Sequence, residues 1–399
     1  MKGWRANLAL LATGALFALL LAELGLRLAG ISYPSFYIPD DHLGKVPRPG
    51  MEAWFREEGG ARVRYNREGL RDREHSRQKP PQTLRVAVLG DSYTEALQVP
   101  VEQIFLSVME QEMQHCHDGD RRSVEVLNFG VAGYSTAQEL QMLRYRVWDY
   151  SPDVVLLAMF LGNDISDNLR ALSDSSPRPY FVHRDGHLAL DDSFRANSTY
   201  RWRHDLPAWL VDMLENHSRV FQVIKRAMFV WKARRGASRP PGARTVAGLE
   251  AGLPRAVLRA PMNPEWEEAW RVTEDLIRTM RDEVASKGAR LMVVTLSIPW
   301  QVNPDSGYRH ELALSMGVKD LFYSDDRIKA FGEKAGIEVL NLAPPMQAYA
   351  EREHVYLHGF ETHLGQGHWN ARGHRVAGEM IARWMCERLG PSPTASPVP

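Results

Sequence analysis

The stretch "LRVAVLGDSYTE", Leu84 to Glu95, decides how this chain is read. Its first seven residues are apolar apart from Arg85 and end at Gly90. A short run that is apolar on both alternating faces reads as a buried strand of a parallel sheet. Asp91 and Ser92 follow at once and open a helical pattern. A serine in that place sits at the sheet edge, with its hydroxyl able to point into a cleft. Its backbone N–H belongs to a helix start, where negative charge is stabilised. Ser92 is thus placed to attack a carbonyl and to help hold the resulting oxyanion. The bland alternative is that Asp91 and Ser92 only cap the helix.

Similar runs follow at Ser123–Gly130, Asp153–Phe160, Arg290–Pro299 and Gly336–Leu342. Helical patterns lie between most of them, at Val101–His115, Thr136–Tyr150, Glu265–Ser286 and Asp325–Ala335. A last helix covers about Ala371–Leu389. Strands alternating with helices argue a parallel α/β sheet covered on both faces. Right-handed crossovers then bring the strand C-termini to one edge, where sites form. The alternation stops once, between about residues 165 and 263. That segment reads as an insertion over the strand-end edge, serving as a lid or substrate surface. Its basic stretch Arg219–Arg235 reads as a helix packed on the core with a solvated basic face. A membrane surface or an acidic polymer is the other reading.

Three further loops hold chemistry. In "NFGVAGYST" (Asn128–Thr136), Gly133 lies in a turn where the missing Cβ lets a backbone N–H approach a ligand. In "FLGNDISDN" (Phe160–Asn168), Asn163 is able to aim its amide at the same point. Donors from Ser92, Gly133 and Asn163 converging on one oxygen make an oxyanion hole. In "GHWNARGH", His368 is placed to take the Ser92 proton. Alone, these read equally well as a glycine turn, an Asn-Asp turn and a structural histidine.

Together and in this order, "GDSYTE", "NFGVAGYS", "LGND" and "GHWNARGH" resemble blocks I, II, III and V of the SGNH (GDSL-type) hydrolase superfamily. The resemblance covers about Leu84–Leu389 without the insertion. Upstream, "NREGLRDRE" (Asn66–Glu74) also looks like the lead-in of membrane-anchored members. The resemblance implies a flavodoxin-like three-layer α/β/α sandwich with a parallel sheet. It implies Ser92 as nucleophile, His368 as general base and then acid, and Ser92, Gly133 and Asn163 as the oxyanion hole. It implies no metal and no organic cofactor.

One departure stands out. The family pattern has an Asp three residues before the histidine, where this chain has Gly365. Gln366 stands where some subgroups carry a carboxylate. A triad carboxylate fixes the imidazole tautomer and stabilises the imidazolium. Gln366 or a backbone carbonyl is the candidate to orient His368 in its stead, with Glu361 folding back as another route. His354 and His358, four residues apart, suit a metal only if helical. There is no G-x-S-x-G, which argues against an α/β-hydrolase.

Composition bounds the rest. Among 399 residues, 49 basic residues balance 49 acidic ones, so no global charge argues for nucleic acid. Two cysteines, Cys116 and Cys386, exclude a disulfide framework and a cysteine-rich zinc site, and leave their own pairing open. Lys2 and Arg5 precede an apolar run from Leu8 to Ala22, resumed after Glu23 to Leu28. No clean small-x-small site follows, so a retained anchor with its positive end inside fits better than a cleaved signal. The expected organisation is an anchor over residues 1–30 and a juxtamembrane connector over 31–81. An SGNH domain follows over 82–390, with a Pro/Ser-rich disordered tail over 391–399.

The expected function is an extracytoplasmic serine esterase, periplasmic if the cell is Gram-negative. It hydrolyses or transfers a small O-acyl group, such as acetyl, on a glycan, cell-wall polymer or lipid. The alternative is a degenerate SGNH domain that serves as a polymer-binding scaffold.

Overall fold

The computed structural model describes residues 3–117, 123–173, 176–236 and 254–390. The expected tail and the loop at 238–252 lie outside them. The chain divides into two compact units, Met1–Pro39 with Ala196–Val246, and Asp40–Arg195 with Ala247–Pro399. The cut falls inside the expected insertion.

The chain opens with the apolar helix α1 (Gly3–Leu28), none of whose residues is buried. Among the described residues it is the one helix long and apolar enough to cross a membrane. Four short strands follow, β1 (Tyr37–Asp40), β2 (Gly44–Pro47), β3 (Glu52–Phe55) and β4 (Ala61–Arg64). All four lie within the expected connector. β3 and β4 form an antiparallel hairpin, with Ala61 and Val63 buried and Arg62 and Arg64 exposed. Tyr65 and Arg71 beyond it are also buried. Arg71 donates to the carbonyls of Glu95, Ala96 and Val99, which satisfies its charge in the interior.

The α/β alternation then begins with β5 (Thr83–Gly90), α2 (Ser92–Glu95), α3 (Phe105–His117), β6 (Ser123–Asn128), α4 (Thr136–Tyr145) and β7 (Val154–Phe160). After α5 (Asp164–Asp167) comes a hairpin, β8 (Tyr180–Arg184) and β9 (His187–Asp191). Its turn is Asp185-Gly186, both at positive φ, the Asp-Gly signal of a two-residue hairpin turn. Helices α6 (Ser198–Asp205), α7 (Ala208–Asp212) and α8 (Arg219–Gly236) complete the described part of the insertion. The alternation resumes with α9 (Pro264–Ser286), β10 (Arg290–Leu296), α10 (Ser306–Met316), α11 (Tyr323–Ala335), β11 (Glu338–Asn341), α12 (Ala343–Glu353) and α13 (Ala371–Leu389).

The five sheet strands lie in the order β11-β10-β7-β5-β6, all parallel. In order of appearance this is 2-1-3-4-5 read from the β6 edge, the flavodoxin-like order. Every residue of β5 and β7 is buried, as a strand covered on both faces requires. The crossover from β5 to β6 runs one way across the sheet, and that from β6 to β7 runs back. Right-handed crossovers therefore put α3 and α4 on opposite faces. α13 packs on α3, and α4 packs on α9. A disulfide between Cys116 and Cys386 ties α3 to α13.

α9 shows how local sequence fixes an element. Asn263 caps it by accepting the Trp266 N–H at 3.0 Å, and Pro264 takes the first turn. Trp266, Ala269, Trp270, Thr273, Leu276, Ile277, Met280 and Val284 are buried at helical spacing. In this topology the direction of winding across the sheet reverses between β5 and β7, which opens a crevice beyond their C-terminal ends.

Candidate active site

β6, β5 and β7 are neighbours, with Val88 paired to Asn128 and Gly90 to Ala158. Their C-terminal loops therefore emerge side by side. Ser92 begins α2, two residues past the end of β5. Gly133 lies in the turn before α4 with φ +73°, a conformation that glycine adopts without strain. Asn163 is the N-cap residue of α5, three residues past β7. Its Oδ1 is buried without a hydrogen bond among the described residues. Lys45 places its Nζ 3.5 Å from where a Gly133 Cβ would lie, a cation beside this turn that the sequence did not single out.

His368 closes the cleft from the loop before α13. Its Nε2 lies 2.8 Å from the Ser92 Oγ, so the base and the hydroxyl are in hydrogen-bond contact. Its Nδ1 lies 2.6 Å from the Glu58 Oε2, and its backbone N–H donates to the Glu58 Oε1 at 2.8 Å. Glu58 sits in the turn between β3 and β4, 310 residues away in sequence. One carboxylate thus grips both the imidazole and the main chain of the same residue. The orienting role expected of Gln366 is corrected by this contact, because Glu58 occupies the Nδ1 side of the ring. Glu361, the other candidate, is exposed. Burial pushes the Glu58 carboxyl up, but the hydrogen bonds and charge of His368 outweigh this and hold it below the usual carboxylate range.

Gly367 makes the approach possible. A Cβ there would lie 1.9 Å from the Glu58 Oε1, and its φ of +71° suits glycine. The Gly367 carbonyl accepts the Tyr93 O–H at 3.0 Å and the His358 Nδ1–H at 2.9 Å. His358 is buried and accepts the Ser297 O–H at Nε2, 3.0 Å away. Burial pushes its pKa down to about 3, so the ring is neutral and braces the loop. His354 is the residue that ends α12, at φ +51°, and His358 lies in the following loop. The two are not on one helix, so the condition for a metal pair fails. The Tyr93 ring packs at a tilt of 40° against the His368 ring, with centroids 4.8 Å apart.

Three carboxyl groups lie under the cleft. Asp91 is buried and accepts the Tyr93 N–H at 2.9 Å. Burial lifts its pKa to about 6 against its hydrogen bonds. Glu139 and Asp164 are fully buried, and burial lifts both well above the usual carboxylate range, with repulsion from Asp91 adding to the effect. Neither Glu139 oxygen has a hydrogen-bond partner among the described residues.

Glu58 carried no signal in the sequence that could have found it. "REEGGA" is a charged turn like many others. The Glu-Glu-Gly-Gly bend was at most a hint of a hairpin.

No family model matches the sequence, and no curated protein matches it. Among solved structures the chain is similar to the acetyl xylan esterase AlAXEase, at 12% identity over 75% of this chain and 98% of that one, TM-score 0.37. It is also similar to a G-D-S-L family protein from Desulfitobacterium hafniense DCB-2, at 13% identity over 75% and 98%, TM-score 0.36. A catalytic mutant of Axe2, an acetylxylan esterase from Geobacillus stearothermophilus, is similar at 10% identity over 77% and 94%, TM-score 0.38.

Proposed function

We propose that this chain is a membrane-anchored serine ester hydrolase of SGNH type whose triad is Ser92, His368 and Glu58. The observation that carries it is the continuous chain from Glu58 Oε2 to His368 Nδ1 at 2.6 Å and from His368 Nε2 to Ser92 Oγ at 2.8 Å. In this reading Glu58 fixes the Nδ1–H tautomer, which leaves Nε2 as the proton acceptor. The Ser92 Oγ attacks the ester carbonyl carbon as its proton passes to Nε2. The oxyanion is held by the N–H groups of Ser92 and Gly133 and by the Asn163 amide. Nε2–H then protonates the departing alkoxide, leaving acyl-Ser92. Water, or a second hydroxyl in a transferase, attacks that ester with His368 again as base. The substrate proposed is a small O-acyl ester, such as acetyl, on a glycan, cell-wall polymer or lipid.

The reading of a degenerate binding module rested on the missing carboxylate at Gly365 and Gln366. Glu58 removes that ground. Action outside the cytoplasm is supported by α1 and by the Cys116–Cys386 disulfide, a bond favoured in oxidising compartments. Treating the full-length chain in detergent with a serine-reactive fluorophosphonate tests the reading. One adduct on intact mass, absent in Ser92→Ala and much slowed in Glu58→Gln, is the expected result. Absence of any adduct on folded protein overturns it.

A further inference from the structure

The unit formed by Met1–Pro39 and Ala196–Val246 contains α1, α6, α7 and α8. Residues 3–22 of α1 are exposed throughout, and only Glu23 and Leu26 are partly covered. The residues that hold this end of α1 lie at the start of α8. The Glu23 Oε2 accepts the Val220 N–H at 3.1 Å, and Arg27 donates to the His217 carbonyl. Just beyond α1, the Tyr33 N–H donates to the Gln222 Oε1 at 2.8 Å, and the Ser35 N–H to the Asn216 Oδ1 at 3.0 Å. α8 therefore starts level with the C-terminal end of α1.

From there α8 carries an outward apolar stripe. Ile224, Met228 and Trp231 fall at i, i+4 and i+7, and each is about half exposed. Trp202 on α6, Trp209 on α7 and Met213 just after it are exposed as well. Single exposed apolar residues need no explanation, but six large ones in one small unit do. Tryptophan is the side chain that favours the membrane–water boundary, with its ring body in apolar surroundings and its N–H in the wet layer. Lys225 beside the stripe is paired with the buried Glu215 at 2.8 Å, and Arg226 lies over the Tyr33 ring. An exposed apolar stripe that ends on a tryptophan suits a helix lying at a bilayer surface.

We propose that α8, with the segments bearing Trp202 and Trp209, lies in the membrane interface at the outer end of α1. Its Ile224–Met228–Trp231 face enters the headgroup–acyl boundary. This rests on the reading of α1 as a membrane span. The occupant is lipid because the stripe begins one turn beyond Val220, which is bonded to the end of α1, and the surface of α1 is apolar and uncovered.

Nitroxide labelling of the full-length chain tests this, since both native cysteines are bonded to each other. Met228→Cys, Ile224→Cys, Leu16→Cys and Leu314→Cys are each labelled and reconstituted in phosphatidylcholine–phosphatidylglycerol vesicles. Collisions with dissolved oxygen and with a water-soluble nickel chelate are then compared. The expected result places the labels at residues 224 and 228 at roughly 5–10 Å below the headgroups. Leu16, in α1, reports deep, and Leu314, exposed on the other unit, reports aqueous. Aqueous signals at 224 and 228 with a deep signal at 16 overturn the interfacial placement and leave the anchor standing. An aqueous signal at 16 overturns the anchor, and the interfacial placement with it. Labels at 224 and 228 shielded from both reagents show a protein contact and also overturn the proposal.

Discussion

The sheet edge and the β3–β4 hairpin each supply part of one constellation, and they do so in different ways. Ser92, Gly133 and Asn163 stand at the ends of three adjacent buried strands, whose hydrogen-bond register fixes them relative to one another. Glu58 stands in the turn of a two-stranded hairpin whose strands are four residues each. The edge is rigid because every residue of β5 and β7 is buried. The hairpin is held by particular contacts, among them Gly60 N–H to the Gln98 carbonyl at 3.2 Å and Glu58 itself on His368. A fold can thus keep Ser92, Gly133 and Asn163 at the ends of sheet strands while drawing the carboxylate that meets His368 from a segment upstream of the first sheet strand.

The strongest way to break this comparison is at the nucleophile. Ser92→Ala is expected to cut ester hydrolysis by roughly 10⁶-fold, measured as kcat on a p-nitrophenyl ester. Next comes the hairpin. Glu58→Gln keeps the shape but not the charge, and is expected to lower kcat by about 10⁴-fold, as in other triads. Gln366→Ala is expected to leave kcat close to that of the native chain, and the reverse ranking of these two variants would return the orienting role to Gln366. Gly367→Ala should cost on the order of 10²-fold in fluorophosphonate labelling rate, because the new methyl displaces the Glu58 carboxylate. An unchanged rate there would mean that the grip on His368 is not needed.

Smaller effects fall on stability. Removing the disulfide with Cys116→Ser and Cys386→Ser should destabilise the fold by about 2–5 kcal/mol in denaturant melts, without altering the labelling of Ser92 in the folded protein. Glu139→Gln probes the buried carboxyls. The folded-state pKa of Glu139 is raised above the unfolded value, so the folded state holds the extra proton. Its stability contribution is then present at low pH and is lost as pH rises past the unfolded value near 4.5. Glutamine does not ionise, so the variant's Tm should match the native one near pH 4 and exceed it by a few degrees at pH 8. A difference independent of pH would show that Glu139 ionises at the same pH in the folded and unfolded states.

Much of the core was legible because its signals are local. The apolar run at Leu84–Gly90, the helix at Ala371–Leu389 and the stripe and cap of α9 each lie within one short window. α10 and α12 went unread. The β8–β9 hairpin was missed although its Asp185-Gly186 turn is a local signal, because the surrounding segment lacks the strand–helix repeat.

Sequence by itself determined the parallel α/β order and the placing of Ser92 at a helix start and of Gly133, Asn163 and His368 in turns and loops, since periodicity and turn residues act over neighbouring positions. Tertiary structure alone decided which carboxylate meets His368, that Cys116 pairs with Cys386, and that residues 216–222 clasp the end of α1. Those pairings join residues 310, 270 and about 190 positions apart. A contact of that span is set by how whole elements pack, and no window of the chain encodes it.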